Sequence, residues 1–233
     1  NCLSIALLLV LGGYKLKLIQ LFLDYKYYFL TGVKVTLLLS FLGLIFGTTL
    51  GSLFSLMKLS KNRALRAIAT AYIEVVRGTP MITQIAMVYF GSYVLLGADI
   101  DGFLAALIAV SLNSAAYVAE IIRSGIQSID KGQTEASRSL GLTSGQTMRY
   151  VILPQAVKNI LPTLGNEFVT LIKETSVAST IGVADLMYAS KIVQGSSFQP
   201  FNPLIIVAVI YFLFTFSLSQ LVGLLERKLN QND

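Results

Sequence analysis

Glu74, Glu120, Glu167 and Glu174 lie in or at the ends of long apolar stretches. A carboxylate inside hydrocarbon costs several kcal/mol unless it pairs or faces a polar cavity, so each demands a partner. The chemistry open to them is recognition: a carboxylate there can hold an ammonium or a cationic side chain. Asn113, Tyr117 and Glu120 are four and then three residues apart, so a helix puts them on one face. Glu167, Thr170 and Glu174 share a face in the same way, with Lys173 directed elsewhere. The candidate solute-binding set is therefore Glu167, Asn113, Ser114, Tyr117 and Thr170. Against it stands a plainer reading, in which Glu167 hydrogen-bonds a neighbouring helix or is neutral. For Glu120 the plainer reading prevails, because Arg123 lies one turn away. Glu74 and Arg77, three residues apart, are likewise expected to pair with each other. Ser114 and Thr170 are hydroxyls of a kind that commonly bonds backbone.

Covalent chemistry is poorly served by this composition. The chain has no histidine and no tryptophan, which removes a Ser-His-Asp triad and a His-ligated zinc. No catalytic residues and no metal ligands are assigned. Cys2 is the one cysteine, so no internal disulfide forms.

The elements that must position these groups follow from hydropathy. The chain is 55% hydrophobic and 13% charged, about half the charge of a soluble domain, so lipid must solvate much of it. Five segments reach the roughly 20 residues a helical span needs. They run from about Tyr28 to Met57, Ile68 to Leu96 with an interruption at Pro80, Phe103 to about Ile126, about Ile160 to Ile181, and Pro203 to Leu225. At about 1.5 Å rise per residue, Asn113 and Glu167 both fall near the bilayer midplane, where transporters commonly bind substrate. Gly43, Gly47 and Gly51 form a small-residue stripe suited to close helix packing. The run from Leu3 to Leu11 is too short to span and resembles the apolar part of a signal sequence, or a fragment. We divide the chain into an N-terminal segment 1–27, a transmembrane domain 28–228 and a tail 229–233.

Basic residues set the expected orientation. Lys58, Lys61, Arg63 and Arg66 follow the first span. Arg123, Lys131, Arg138, Arg149 and Lys158 surround the link between the third and fourth, and Arg227 and Lys228 follow the fifth. The other loops hold Asp99 and Asp101, or Lys191 as the single lysine. The basic side, with the C-terminus, is expected to face the cytoplasm. Lys15, Lys17 and Lys26 then lie outside, against the trend.

The link Asp130 to Pro154 reads as two short polar helices. Asp130 with Gln133, and Thr143 with Gln146, have capping-box spacing; Gly141 ends the first helix and Pro154 closes the second. A DNA-binding helix-turn-helix has a similar outline, but the flanking spans leave it no free domain. Within this link, Glu135-Ala136-Ser137, Gly141 and Val151-Ile152-Leu153-Pro154 resemble the EAA loop of ABC importer permeases, with Ser137 and Val151 as small departures. Glu74-Val75-Val76-Arg77-Gly78-Thr79-Pro80 is similar to the E-V-x-R-G-T-P segment of polar amino-acid permeases, and Ala116 to Arg123 to their A-Y-x-A-E-I-x-R segment.

This resemblance, which runs from about Gly32 to Lys228, implies an all-α type I ABC importer permease fold of five transmembrane helices. It implies that Glu135, Ala136, Ser137, Gly141, Leu153 and Pro154 dock a cytoplasmic ATP-binding subunit, two copies per transporter. The other partners it implies are a second permease copy or homologue, an extracellular solute-binding protein and a polar amino acid, in a bacterial cell membrane. No G-x-x-x-x-G-K-[ST] phosphate loop is present, so ATP and magnesium belong to the partner and the chain itself needs no cofactor. The alternative is an ion-coupled secondary amino-acid transporter with Glu167 as the ion site. The sequence leaves open which amino acid is carried, whether the permease pairs with itself, and whether a binding domain precedes it.

Overall fold

The computed structural model describes residues 14–230, all helices and connecting turns with no strand among them. The apolar run Leu3 to Leu11 lies outside the described residues. A short helix, α1 (residues 14–24), turns at Tyr25 into α2 (Lys26–Leu59), which is 34 residues long. Then follow α3 (Arg63–Arg77), α4 (Met81–Leu96) and α5 (Gly102–Gln127). The polar link contains α6 (Lys131–Ser139) and α7 (Ser144–Thr147), and α8 (Leu153–Glu174), α9 (Leu186–Ser197) and α10 (Asn202–Asn230) complete the chain. Three of these, α2, α5 and α10, have the length and apolarity to cross a bilayer, and α4 is a shorter apolar helix.

The bundle is built on α2 lying along α5. The glycine stripe makes this approach possible. A methyl group at Gly43 would stand 2.6 Å from Val110 Cγ1, one at Gly47 2.6 Å from Ser114 Cβ, and one at Gly51 2.7 Å from the Ala115 carbonyl oxygen. Real Cβ atoms do not approach so closely, so any side chain at these positions would push the two helices apart. α8 packs against α5 on one side and α10 on the other.

Helix ends are fixed by local chemistry. The Asn62 side chain accepts from Ala64 N and Leu65 N to start α3, and Asp101 accepts from Phe103 N and Leu104 N to start α5. Gly97, at φ +68°, closes α4 in the left-handed conformation. The expected second span is two helices, because Gly78, Thr79 and Pro80 interrupt it. Asp185 starts α9 by accepting from Tyr188 N at 2.7 Å, and Thr36 Oγ1 accepts from Leu186 N at 3.1 Å, tying α9 to α2.

Two expectations need correction here. The fourth span is not helical in one style from Ile160 to Ile181. α8 begins at Leu153, and Thr175–Ile181 is a 3₁₀ segment. The Thr175, Ser176 and Thr180 hydroxyls donate to carbonyls three residues back, which favours the tighter winding. Nor does Pro154 close the second short helix. α7 runs through a π-helical turn, Met148–Ile152, straight into α8, with Pro154 in the first turn of α8. Proline has no N–H to donate to the carbonyl one turn back, and the widened turn accommodates that lost bond.

Candidate functional site

Glu167 lies on α8 and is only 8% exposed. Its Oε1 accepts from the Ser114 hydroxyl of α5 at 3.2 Å, and Ser114 is itself fully buried. Gly47 of α2 backs Ser114, so three helices meet at this carboxyl group. Of the residues singled out by sequence, Ser114 and Glu167 are therefore brought into direct contact.

The remaining candidates face other neighbours. Asn113, 3% exposed, donates through Nδ2 to Gln84 Oε1 on α4 at 3.1 Å, while its Oδ1 is buried without a partner. Gln84 also donates through Nε2 to the Val76 and Thr79 carbonyls at 2.7 and 3.0 Å and to Thr79 Oγ1 at 2.9 Å. It thereby satisfies acceptors left open where α3 ends, inside an apolar setting that would otherwise penalise them. The Tyr117 ring lies under the Arg77 guanidinium, 5.3 Å from its centroid. Thr170 donates to its own helix, at the Asn166 carbonyl, 3.1 Å away. The arrangement is thus a buried carboxyl–hydroxyl pair between α5 and α8, and a separate polar array between α5 and the α3–α4 break.

The expected Glu74–Arg77 pair does not form, because Arg77 stacks on Tyr117 and Glu74 is exposed. Glu120 does pair with Arg123, and it also accepts from Lys58 at the end of α2, Nζ to Oε2 3.0 Å. Lys58 and Gln84 were missed by sequence reasoning. Gln84 carried a usable signal, as an amide within an apolar helix. Lys58 carried none, since its reach to α5 depends on how the two helices cross.

The short helices are joined by side chains. Ser137 is buried and donates to the Thr134 carbonyl at 3.0 Å and to Thr147 Oγ1 at 3.1 Å, locking α6 to α7. Gly141 has φ +87° and ends α6, as expected. The Thr143–Gln146 capping box is formed, but Asp130 caps α6 through Gly132 N at 2.6 Å rather than through a reciprocal Gln133 box. Around this joint Glu135, Ala136, Leu153 and Pro154 are exposed, and Leu140 is 81% exposed.

Residues 43–231 match the family of binding-protein-dependent transport system inner membrane components. The chain belongs to that family. It is 44% identical over 206 residues to an arginine transport system permease protein of Bacillus subtilis (strain 168), covering 88% of this chain and 94% of the relative. It is 42% identical over 198 residues to a putative glutamine transport system permease protein of Rickettsia bellii (strain RML369-C), covering 85% and 91%. Among solved structures, it resembles an amino acid ABC transporter chain at 47% identity and TM-score 0.86, covering 88% of this chain and 96% of that one. A methionine ABC transporter chain shares the fold at TM-score 0.68 with 21% identity. The chain is accordingly a membrane component of a binding-protein-dependent transport system with the type I importer permease fold, and these relatives give the ion-coupled alternative no support.

Proposed function

We propose that this chain is the pore-forming permease of an ABC importer for a polar amino acid, with a basic amino acid or glutamine favoured. The observation that carries the substrate reading is the Glu167 carboxyl, buried beside Ser114 at the α5–α8 contact. Such a group is costly to keep in a membrane and useful only where it meets a polar partner. An amino acid brings an ammonium to every encounter, and arginine or lysine brings a second cation. The relatives named for glutamine and arginine transport agree with this class. Asn113, Tyr117, Ser114 and Thr170 complete the proposed pathway, with the orphaned Asn113 Oδ1 open to a donor.

In this reading α3 and α4 together make one interrupted span, giving five spans with α2, α5, α8 and α10. The basic side and the C-terminus are cytoplasmic. α6 is the coupling helix, and Glu135, Ala136, Ser137, Gly141, Leu153 and Pro154 dock the ATP-binding subunit. Two permeases, two ATPase subunits and an external binding protein form the working assembly. The chain supplies the path and its partner supplies ATP hydrolysis on bound magnesium and nucleotide.

The test is a substrate screen on the purified complex of permease, ATPase and binding protein. A basic amino acid or glutamine should stimulate ATP hydrolysis several-fold, while acidic and apolar amino acids should not. Stimulation by a sugar or a metal ion alone would overturn the amino-acid assignment.

A further inference from the structure

We propose that α1 and the start of α10 form a binding site for a phospholipid with a primary-amine zwitterionic headgroup, of the phosphatidylethanolamine class, in the outer leaflet. α1 is two-faced: Lys17, Gln20 and Asp24 follow one another at three- and four-residue spacing on one side, and Leu18, Ile19 and Phe22 lie on the other. Each face borders its own recess against α10. On the polar side an open pocket of about 430 Å³ is lined by Lys17, Gln20 and Asp24 together with Tyr14, Gln199 and Asn202. On the apolar side a groove of about 310 Å³ is walled by Leu18, Ile19 and Phe22 of α1 and by Ile206, Val209 and Ile210 of α10.

The polar pocket is built rather than incidental. Tyr14 donates through its hydroxyl to Asn202 Oδ1 at 2.5 Å, and Asn202 donates to Gln199 Oε1 at 2.6 Å, so its rim spans both helices. Lys17 and Asp24 have no ion-pair partner among the described residues and present opposite charges to the same space. They stand two turns apart on α1, about 10 Å along the axis. A phosphoethanolamine group separates its charges by an ester oxygen and two methylenes, whereas an α-amino acid puts a single carbon between them. The wider separation suits this pair, with phosphate toward Lys17 and the Gln199 amide, and ammonium toward Asp24. An acyl chain led around α1 from the headgroup reaches the groove on its other face, a contact that a free zwitterion cannot make.

The assignment also accounts for Lys17, one of the basic residues that run against the charge rule. Lys15 and Lys17 lie on α1 and Lys26 begins α2, on the side read as external, where positive charge is otherwise scarce. Of these, Lys17 lies on the polar face of α1, where the lysines of interfacial amphipathic helices hold lipid phosphates. The choice of leaflet rests on the orientation proposed above; the choice of headgroup does not.

The experiment is native mass spectrometry of the whole transporter, released from bilayers with equal phosphatidylethanolamine, phosphatidylcholine and phosphatidylglycerol. Wild type should retain phosphatidylethanolamine several-fold over the other two, since choline has no N–H for Asp24 and glycerol has no cation. Asp24→Asn should lower that preference to the phosphatidylcholine level, and Lys17→Gln should reduce retention of all three. Asp99→Asn, in a different loop, should change nothing. An undiminished preference in Asp24→Asn, or displacement of the lipid by millimolar free amino acid, would overturn the proposal. In a Cys2→Ser background, thiol labelling of Asp101→Cys reports orientation separately. Its labelling only from the cytoplasmic side would move the site to the inner leaflet and leave headgroup selectivity standing.

Discussion

Glu167 is a carboxyl group that the chain buries at the meeting of α2, α5 and α8 with one neutral hydrogen-bond donor beside it. Replacing it by glutamine keeps the shape and an acceptor for Ser114, and removes only the charge. Losing one charge-assisted contact to a substrate cation should cost about 1.5–3 kcal/mol, roughly ten- to a hundredfold in apparent affinity. Assembly should survive, because a neutral amide is easier to bury than a carboxylate. The loss should be greater for arginine or lysine than for glutamine if the carboxylate meets a side chain, and uniform if it meets the α-ammonium. Uptake into proteoliposomes measures this, and unchanged affinity for every amino acid would return Glu167 to a purely structural role. That Glu167 would be a buried carboxyl was legible from its type and its place in an apolar stretch. That Ser114 rather than Asn113 would be its partner was not, because residues 113 and 114 point about 100° apart and only the packed neighbours decide which direction each faces. Arg77 was misjudged for a related reason: an intrahelical pair with Glu74 is the local solution, and the Tyr117 face supplied a tertiary one.

At the scale of elements, α6 and α7 show which signals are local enough to read. The Thr143–Gln146 box and the left-handed Gly141 depend on a few consecutive residues, and both are formed as their spacing predicts. Pro154 is different. Its effect depends on whether the preceding turn can widen, and the π-helical turn lets the helix continue where a stop was expected. Ser137, the departure from the small alanine of the resembled motif, turns out to hold the joint together through Thr147. The surface this joint presents should be sensitive to Gly141→Asp. The backbone there has φ +87°, which a Cβ disfavours, and no atom of the chain lies within 4 Å of where the new side chain would begin. The substitution therefore strains the turn and places a charge outward without a clash inside the permease. Pull-down of the ATPase subunit should fall severely while the permease itself remains in the membrane. Full retention together with full transport would show that this joint is not the docking surface.

For the whole molecule, hydropathy located the long helices to within a few residues, because burying an apolar face in lipid constrains every position along a span. It blurred the weaker ones. α8 carries Glu167, Lys158 and two prolines, so its apolar signal is diluted, and α3 is polar enough to read as a span only in company with α4. The glycine stripe predicted close packing but not its partner, which is α5. In the function proposed above, these elements form a passive path that moves solute only when a separate engine drives it, and this is where the account is most exposed. The permease should be reconstituted with its ATPase and binding protein into proteoliposomes, with labelled amino acid outside. The account predicts uptake that requires ATP trapped on the ATPase side and persists with proton and sodium gradients collapsed. Uptake by the permease alone, driven by an ion gradient without ATP, would contradict it.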